Sequence, residues 1–320
     1  MIDRAHAALA KATRWHPWEF VFWAAVAAGW FLLPERRLLV NEIAIAGLFA
    51  MSLDLVLGYG GIVSLGHAAF FGFGAYLTGV LAKYGFTNPI LDLISAAIAS
   101  AALGWLSSFL VLRGSDLSRI MVTLSVSLVL FEIANRATWL TGGADGMQGL
   151  MFDPLFGSYE FDLFGSVGSA YSIIVLFLLF LAARRYIGSP FGWSVRAAAA
   201  NPLRTAAIGI PVNARLIATY SFAASIAGVA GSLLAETTQF VSLDVLAFHR
   251  SADVMLMLVV GGAGWLYGGL IGALGFKLLQ DWLSGITPQY WQFWVGAFLV
   301  GLVLVGRERI ASWPRRLLRR

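Results

Sequence analysis

Long apolar runs follow one another along almost the whole chain, and short polar breaks separate them. A helix that crosses a hydrocarbon core about 30 Å thick needs roughly 20 apolar residues, and about ten runs approach that length. The predicted membrane-spanning helices lie at 18–33, 38–57, 62–82, 90–112, 118–139, 170–187, 214–236, 250–262, 265–284 and 290–306. The pattern therefore predicts an all-α, polytopic membrane helical bundle of about ten transmembrane helices, with eight or nine as alternatives.

Glycine pairs stand at the edges of two of these runs. Gly60 and Gly61 precede the run at 62–82, and Gly261 and Gly262 end the short run at 250–262. These pairs predict broken helices, whose freed backbone groups need protein or water around them. The two segments also align when the chain is shifted on itself. That match indicates two pseudo-repeated halves, or else chance similarity in a glycine-rich chain.

Basic residues are concentrated in a few segments and predict the orientation. Segment 183–216 contains several arginines and no acid, and the last residues after 306 are also arginine-rich, whereas 140–169 contains acids and no Lys or Arg. The positive-inside rule then places an N-terminal segment 1–17, a loop 188–214 and a basic tail 307–320 in the cytoplasm. Both termini are predicted inside. Arg36 and Arg37, which this orientation places outside, do not fit.

Composition supports a membrane protein and excludes several other classes. Apolar residues make up 59% of the 320 positions and charged residues 12%, against roughly 25% charged residues in soluble domains. The chain has no cysteine, which excludes disulfides and cysteine-based metal sites. The net charge of +5 comes from basic residues in loops and in the tail, where membrane topology explains them. No nucleic-acid partner is therefore expected. The whole chain is predicted to form a single transmembrane domain, 1–320.

No catalytic constellation is visible. The sequence lacks a GxxxxGK[ST] phosphate loop, an HExxH motif and an EF-hand loop, and its four histidines have no ligand spacing. We therefore expect no catalytic residue, no metal site, no cofactor bound by this chain and no enzymatic activity.

The segment 188–216 is too polar to span a membrane and predicts a short basic helix–turn–helix. Residues 195–200 and 205–208 have helical composition, and Pro202 and Pro211 interrupt them. An exposed, rigid and charged element of this kind is suited to docking onto a cytoplasmic partner. The alternative is a solvated loop whose arginines only set the topology.

Four stretches together resemble the Liv-type branched-chain amino acid permeases, the membrane subunits of ATP-driven importers. They are LGYGGIVSLGHAAFFGFGAY at 57–76, TGGADGMQGL at 141–150, GSPFGWSVRAAAANPLRTAAIGI at 188–210 and MLVVGGAGWLYGGLIGAL at 257–274. The third resembles the coupling-loop signature of that family. One departure is that Ala199-Ala200 stands where the family usually has a charged Arg-Glu pair.

The resemblance implies a permease subunit that forms a translocation pathway for branched-chain or related amino acids. It implies four kinds of partner: a second homologous permease in a heterodimer, two cytoplasmic ATPase subunits that use ATP and Mg, a periplasmic substrate-binding protein and the lipid bilayer. It also implies a multi-pass protein of the bacterial inner membrane. Urea, amides or aromatic acids are alternative substrates.

The resemblance also assigns candidate site residues. The ATPase-coupling residues are Gly192, Arg196, Asn201, Pro202 and Gly209, of which Arg196 is expected to make the polar contact. The two glycine breaks and the polar side chains of the first one indicate the candidate pathway residues, which are Gly60, Gly61, Ser64, His67, Gly261 and Gly262. The external-loop residues are Thr141, Gly142, Gly143, Asp145 and Gly146. His67 has an alternative as a histidine hydrogen-bonded between helices, and Asp145 as part of an Asp-Gly turn.

An ion-coupled secondary transporter is the main competing class. It needs a buried carboxylate near the middle of the membrane, and the sequence gives no acid a convincing place there. Glu42, Asp54, Asp253 and Lys277 are predicted near the ends of spans, in the interfacial region. Glu132 and Arg136 are predicted to form a neutralising pair at i and i+4.

Overall fold

The computed structural model describes residues 15–162, 164–290 and 293–297. Within this part the chain is built of helices, and its only β-pairing consists of isolated bridges. The predicted all-α class is confirmed. The α-helices are α1 (Pro17–Leu32), α2 (Arg37–Asp54), α3 (Ala68–Lys83), α4 (Pro89–Val111), α5 (Asp116–Arg136), α6 (Thr138–Thr141), α7 (Ser166–Gly188), α8 (Pro190–Ala200), α9 (Pro202–Ala207), α10 (Val212–Thr238), α11 (Phe248–Gly261) and α12 (Leu266–Ile286).

Proline marks several helix starts. Pro17, Pro89, Pro190 and Pro202 are in the first turns of α1, α4, α8 and α9. The ring fixes φ at a helical value, and the N–H that proline lacks would be unpaired there in any case. Asn88 also caps α4, because its side-chain oxygen accepts from the backbone N–H of Ile90 at 3.1 Å.

Five helical segments in the described part are long and apolar enough to cross a membrane. They are Pro34–Tyr59, which contains α2, together with α4, α5, α7 and α10. Helices α11 and α12 pass the same test only as a pair, and they are bent by 112° at the break between them. The predicted runs 250–262 and 265–284 therefore form one bent unit. Helices α1 and α3 are apolar but shorter.

Some predicted segments fall wholly or largely outside the described residues. They are most of the N-terminal segment 1–17, most of the predicted span 290–306 and the tail 307–320.

The predicted start of the third span is wrong. Helix α2 continues into a π-helical turn, Leu55–Tyr59, and the next helix begins only at Ala68, so 62–67 are not helical. Gly61 has φ +67°, a left-handed conformation that stops the helix. A Cβ on Gly66 would overlap the carbonyl of Thr123. The break that the glycines predicted is present, and it is longer than the apolar pattern indicated.

Helix α10 lies at the centre of the bundle and packs against α2, α3 and α4. A Cβ on Gly74 of α3 would overlap the backbone of Gly228 on α10, and a Cβ on Gly228 would overlap Ser100 of α4. Small residues of this kind let helices approach closely where lipid offers no hydrophobic drive for association. The three-helix contact is therefore tight and intolerant of added volume.

The two arginines that did not fit the charge pattern have partners at one end of the bundle. Arg36 pairs with Asp281 at 3.1 Å. Arg37 donates to the hydroxyl of Ser166 at 2.5 Å, and its guanidinium lies 4.8 Å from the Trp30 ring centre. Ser166 begins α7 directly after the acid-rich 140–165 segment. Asp281 thus offsets the charge of Arg36, and a hydroxyl and an aromatic ring hold Arg37. A count of basic residues along the sequence does not include such partners.

Candidate functional site

The segment 188–214 contains the predicted helix–turn–helix. The hydroxyl of Ser189 caps α8 by accepting from the N–H of Gly192 at 3.3 Å. Asn201 is extended between α8 and α9, and its side-chain oxygen accepts from the N–H of Arg204 at 3.0 Å. Pro202 begins α9, and Gly209, with φ +86°, follows its end. Asn201, Pro202 and Gly209 therefore shape the turn.

Arg196 faces the bundle of its own chain. Its guanidinium carbon lies 4.7 Å from the ring centre of Tyr59, in the π-helical turn, and 5.1 Å from that of Trp193. One turn of helix further on, Ala199 lies against Gly61, where an added Cβ would come within 3.1 Å of the Ala199 Cβ. The helix pair is thus joined to the first glycine break. Tyr59 was not singled out from the sequence, because nothing in the sequence indicated its proximity to Arg196.

Asp54 joins the first break to the second. Its carboxylate accepts from the backbone N–H of Gly264 at 2.7 Å, and its side chain is completely buried. Arg196 is within electrostatic reach of the same carboxylate. Asp54, predicted near the end of a span, is covered there by other parts of the chain: the glycines at 58 and 264 bring the second break directly over this side chain.

The second break lies between α11 and α12. Gly262 has φ +109° and Gly264 has φ +80°, values that side chains with a Cβ rarely adopt. A Cβ on Gly261 would overlap the carbonyl of Gly268, so the two helices cross closely just beyond the break. The two glycine segments that the sequence aligned with each other are therefore in contact.

Ser64 and His67 are closed off from solvent. His67 is completely buried, its Nε2 lies 2.8 Å from the Ser52 hydroxyl, and its ring stacks on Phe49 at 5.7 Å. Ser64 is 1% exposed. In this conformation His67 has the contacts expected for the alternative hypothesis, in which it is a histidine hydrogen-bonded between helices.

Buried acids are more numerous than the sequence indicated. Besides Asp54, Asp92 of α4 and Glu236 of α10 are at most 1% exposed. Glu236 accepts from the hydroxyl of Ser232 at 2.9 Å. Among the described residues none of the three forms an ion pair. These three carboxyls fall close to helix ends in the sequence but behind neighbouring elements in space, so their burial was not predicted.

The external-loop motif forms a compact turn. The hydroxyl of Thr141 donates to the carbonyl of Ala137 at 2.8 Å, while Gly142, Gly143 and Gly146 all have positive φ. After the turn, Met147 and Val241 exchange backbone hydrogen bonds of 2.8 and 3.0 Å. The side chain of Asp145 is exposed. This side chain is therefore accessible to a partner, and the residue is also part of the turn.

A cavity of about 450 Å³ lies between α2, α3, α10, α11 and α12. Its apolar wall includes Ile45, Phe49, Phe71 and Met257, of which Phe49 and Phe71 stack at 4.6 Å. Its other wall carries five charged side chains and His249. Apolar surface with a few convergent polar groups is the usual make-up of a small-molecule site.

The charges in the cavity are partly paired. Lys277 pairs with Glu42 at 2.9 Å, and Arg250 and His249 both contact Asp244. Partial burial of Asp244 opposes its ionisation, yet Arg250 and His249 hold its pKa below the usual value. Asp253 also lines the cavity, and within the described part of the chain its carboxylate has no hydrogen bond or close ion pair.

These features define a polytopic α-helical membrane protein of the permease class, with glycine-broken helices beside a short amphipathic helix pair. The chain belongs to the family described as branched-chain amino acid transport system / permease component, whose model matches residues 38–306.

Named relatives agree with this family. The chain is 26% identical over 284 residues to the high-affinity branched-chain amino acid transport system permease protein LivM of Salmonella typhimurium, and 25% identical to LivM of Escherichia coli. Each alignment covers 82% of this chain and 66% of the relative. A probable branched-chain amino acid transport permease protein LivH of Methanocaldococcus jannaschii is 24% identical, over 86% of this chain and 87% of that protein. No solved structure matches the chain.

Proposed function

We propose that the chain is the membrane-spanning permease subunit of an ATP-driven importer for branched-chain or related amino acids. It forms the translocation pathway and is moved by separate ATPase subunits. The observation that carries this proposal is the contact of the α8–α9 helix pair with the first glycine break. A movement of the pair would displace Tyr59 and Gly61 directly.

The outer surface of the helix pair supports a docking role. Leu203 and Ile208 are 84% and 71% exposed, and Trp193 of α8 is also exposed. Exposed apolar side chains on a rigid element are typical of a protein interface. Arg204 adds an exposed positive charge. On this proposal the apolar side chains and Arg204 contact the ATPase, whereas Arg196 passes movement inward.

The assembly follows from the proposal. A second homologous permease completes a heterodimer, two ATPase subunits bind ATP and Mg on the cytoplasmic side, and a periplasmic protein delivers substrate to the loop at 141–150. The protein resides in the bacterial inner membrane with both termini inside. The names of the relatives support amino acids as substrate. Urea, amides and aromatic acids are the alternatives.

Reconstitution tests the proposal. Proteoliposomes that contain the chain, a partner permease, the ATPases and the binding protein are expected to accumulate labelled leucine. Accumulation should require ATP on the side of the membrane that carries the ATPase subunits. Uptake that needs no ATPase subunit would contradict the proposal.

Ion-coupled transport remains the second candidate, because Asp54, Asp92 and Glu236 are buried without an ion pair in the described part. Buried ionisable groups of this kind occur in proton and ion relays. The same liposomes discriminate the two functions. Leucine uptake by this chain alone, driven by a proton or sodium gradient, would establish the second candidate.

A further inference from the structure

The cavity between α2, α3, α10, α11 and α12 has two chemically different walls. One wall is apolar and contains Phe49, Phe71 and Met257. The other contains both signs of charge, on Glu42, Asp244 and Asp253 and on Lys277 and Arg250. Three acids thus share this wall with Lys277, Arg250 and His249.

Among the described residues, Asp253 is the acid of this wall that has no direct partner. Lys277 pairs with Glu42, and Arg250 pairs with Asp244. Asp253 is half-buried on α11, and Arg250, His249 and Lys277 lie within electrostatic reach of it. A half-buried carboxylate without a close cation is stabilised by any ammonium group that enters the cavity.

The bases limit what kind of cation fits. Lys277 and Arg250 repel a simple cation, but they attract a ligand that also carries a carboxylate. Such a carboxylate can accept hydrogen bonds from the ammonium group of Lys277, whose side chain is 13% exposed, or from the Arg250 guanidinium. The cavity volume of about 450 Å³ is at the lower end of the range of small-molecule pockets, roughly 300–1,000 Å³. It suits a ligand of amino-acid size.

We infer that this cavity is a binding subsite for a zwitterionic α-amino acid with an apolar side chain. Asp253 accepts the α-ammonium group, Lys277 or Arg250 binds the α-carboxylate, and the Phe49–Phe71–Met257 wall receives the side chain. The inference rests on the proposed function and adds the residues that recognise the substrate within this chain.

A single introduced cysteine provides the test, because the chain has none of its own. Ala46 lines the cavity and is partly exposed, so Ala46→Cys places one reactive thiol there. Thr238→Cys, at the exposed mouth, is the second reporter in case the first reacts too slowly. The rate of thiol modification by a methanethiosulfonate reagent is measured in membrane vesicles that contain the full-length chain.

Leucine is expected to slow the modification, and two matched analogues are expected to protect poorly. These are 4-methylvalerate, which lacks the ammonium group, and isoamylamine, which lacks the carboxylate. Asp253→Asn on the same background removes one charge-assisted contact, which weakens protection by roughly tenfold or more. Glu132→Gln is the control, since Glu132 pairs with Arg136 on α5, outside the cavity.

Three results would overturn the inference: no protection by leucine at either reporter, equal protection by isoamylamine, or unchanged protection in Asp253→Asn. ATP-driven leucine uptake, measured with the assembled transporter, separates this inference from the proposed function. Intact uptake without protection rejects only the subsite. Absence of ATP-driven uptake rejects the proposed function.

Discussion

The carboxylate of Asp54 accepts a hydrogen bond from the backbone N–H of Gly264 at 2.7 Å, across 210 positions of the chain. The bond joins the last residue of α2, directly before the π-helical turn, to the break between α11 and α12. Because Arg196 lies over the ring of Tyr59 in that π-helical turn, the helix pair α8–α9 contacts the first break directly and is linked to the second through Asp54. A displacement of this pair therefore has a short physical route into the bundle.

Replacing Asp54 tests the bond itself. Asp54→Ala removes the acceptor of the Gly264 N–H, and loss of a hydrogen bond to a charged group costs about 1.5–3 kcal/mol of unfolding free energy. Asp54→Asn keeps a side-chain oxygen that can accept, so its loss is expected to be smaller. Thermal unfolding in detergent measures both. Equal losses in the two variants would show that the charge of Asp54, and not the hydrogen bond, matters.

Gly58 is the residue that lets the two breaks approach. A Cβ at this position would overlap both the Asp54 carboxylate and the Gly264 nitrogen, so Gly58→Ala is expected to lower the melting temperature and abolish transport. Gly275→Ala is the matched control. Gly275 lies on α12, and apart from its own helix backbone a Cβ added there has no neighbour within 4 Å among the described residues. Alanine is more favourable than glycine inside a helix by about 1 kcal/mol. Normal stability and transport of Gly58→Ala would contradict the described contact.

The Arg196–Tyr59 contact is expected to link ATP hydrolysis to transport. Tyr59→Leu removes the ring face that the guanidinium covers, an interaction of about 0.5–2 kcal/mol, whereas Tyr59→Phe retains it. We expect Tyr59→Leu and Arg196→Ala to reduce leucine uptake per ATP hydrolysed and Tyr59→Phe to resemble the native protein. Uptake and ATP hydrolysis are measured in the same vesicles. Native coupling in Tyr59→Leu would exclude this contact from the mechanism.

Asn201 holds α9 at its angle to α8. Asn201→Ala removes the side-chain acceptor for the N–H of Arg204, and loss of such a cap costs about 1 kcal/mol. Asn201→Ser and Asn201→Asp keep an acceptor, so they are expected to retain uptake that Asn201→Ala loses, with all three inserted at equal levels. If alanine and serine behave alike, the cap does not shape a functional element.

Apolar pattern and glycine position were sufficient to predict the helical class, the two breaks and the short helix pair. Each depends on local sequence: α4 and α10 are long apolar runs, and Pro202 and Gly209 mark turns by their own backbone preferences. The start of α3 at Ala68 was not predictable, because Ile62, Val63 and Leu65 continue the apolar pattern. The close contact of Gly66 with Thr123 joins residues that are distant in the chain.

For the site, the contacts that could not be predicted are mainly those between residues distant in the chain. Asp54 and Glu236 lie near span ends in the sequence, and the elements that bury them come from elsewhere in the chain. Likewise, Arg196 was expected to face an ATPase, while the structure directs it to Tyr59. The cavity around Asp253 combines side chains of five helices, and no local motif contains them.

The proposed coupling requires that the α8–α9 pair lies on the cytoplasmic side in contact with an ATPase, and crosslinking tests this most directly. Leu203→Cys places a single thiol on the exposed face of α9, and Ala144→Cys places one in the exposed external turn. A thiol-reactive photo-crosslinker in membranes that contain the whole assembly is predicted to join Leu203→Cys to an ATP-binding subunit, and Ala144→Cys to no such subunit. Modification of Leu203→Cys from the periplasmic side by a membrane-impermeant maleimide, without an ATPase crosslink, would contradict the proposed cytoplasmic docking of the α8–α9 pair.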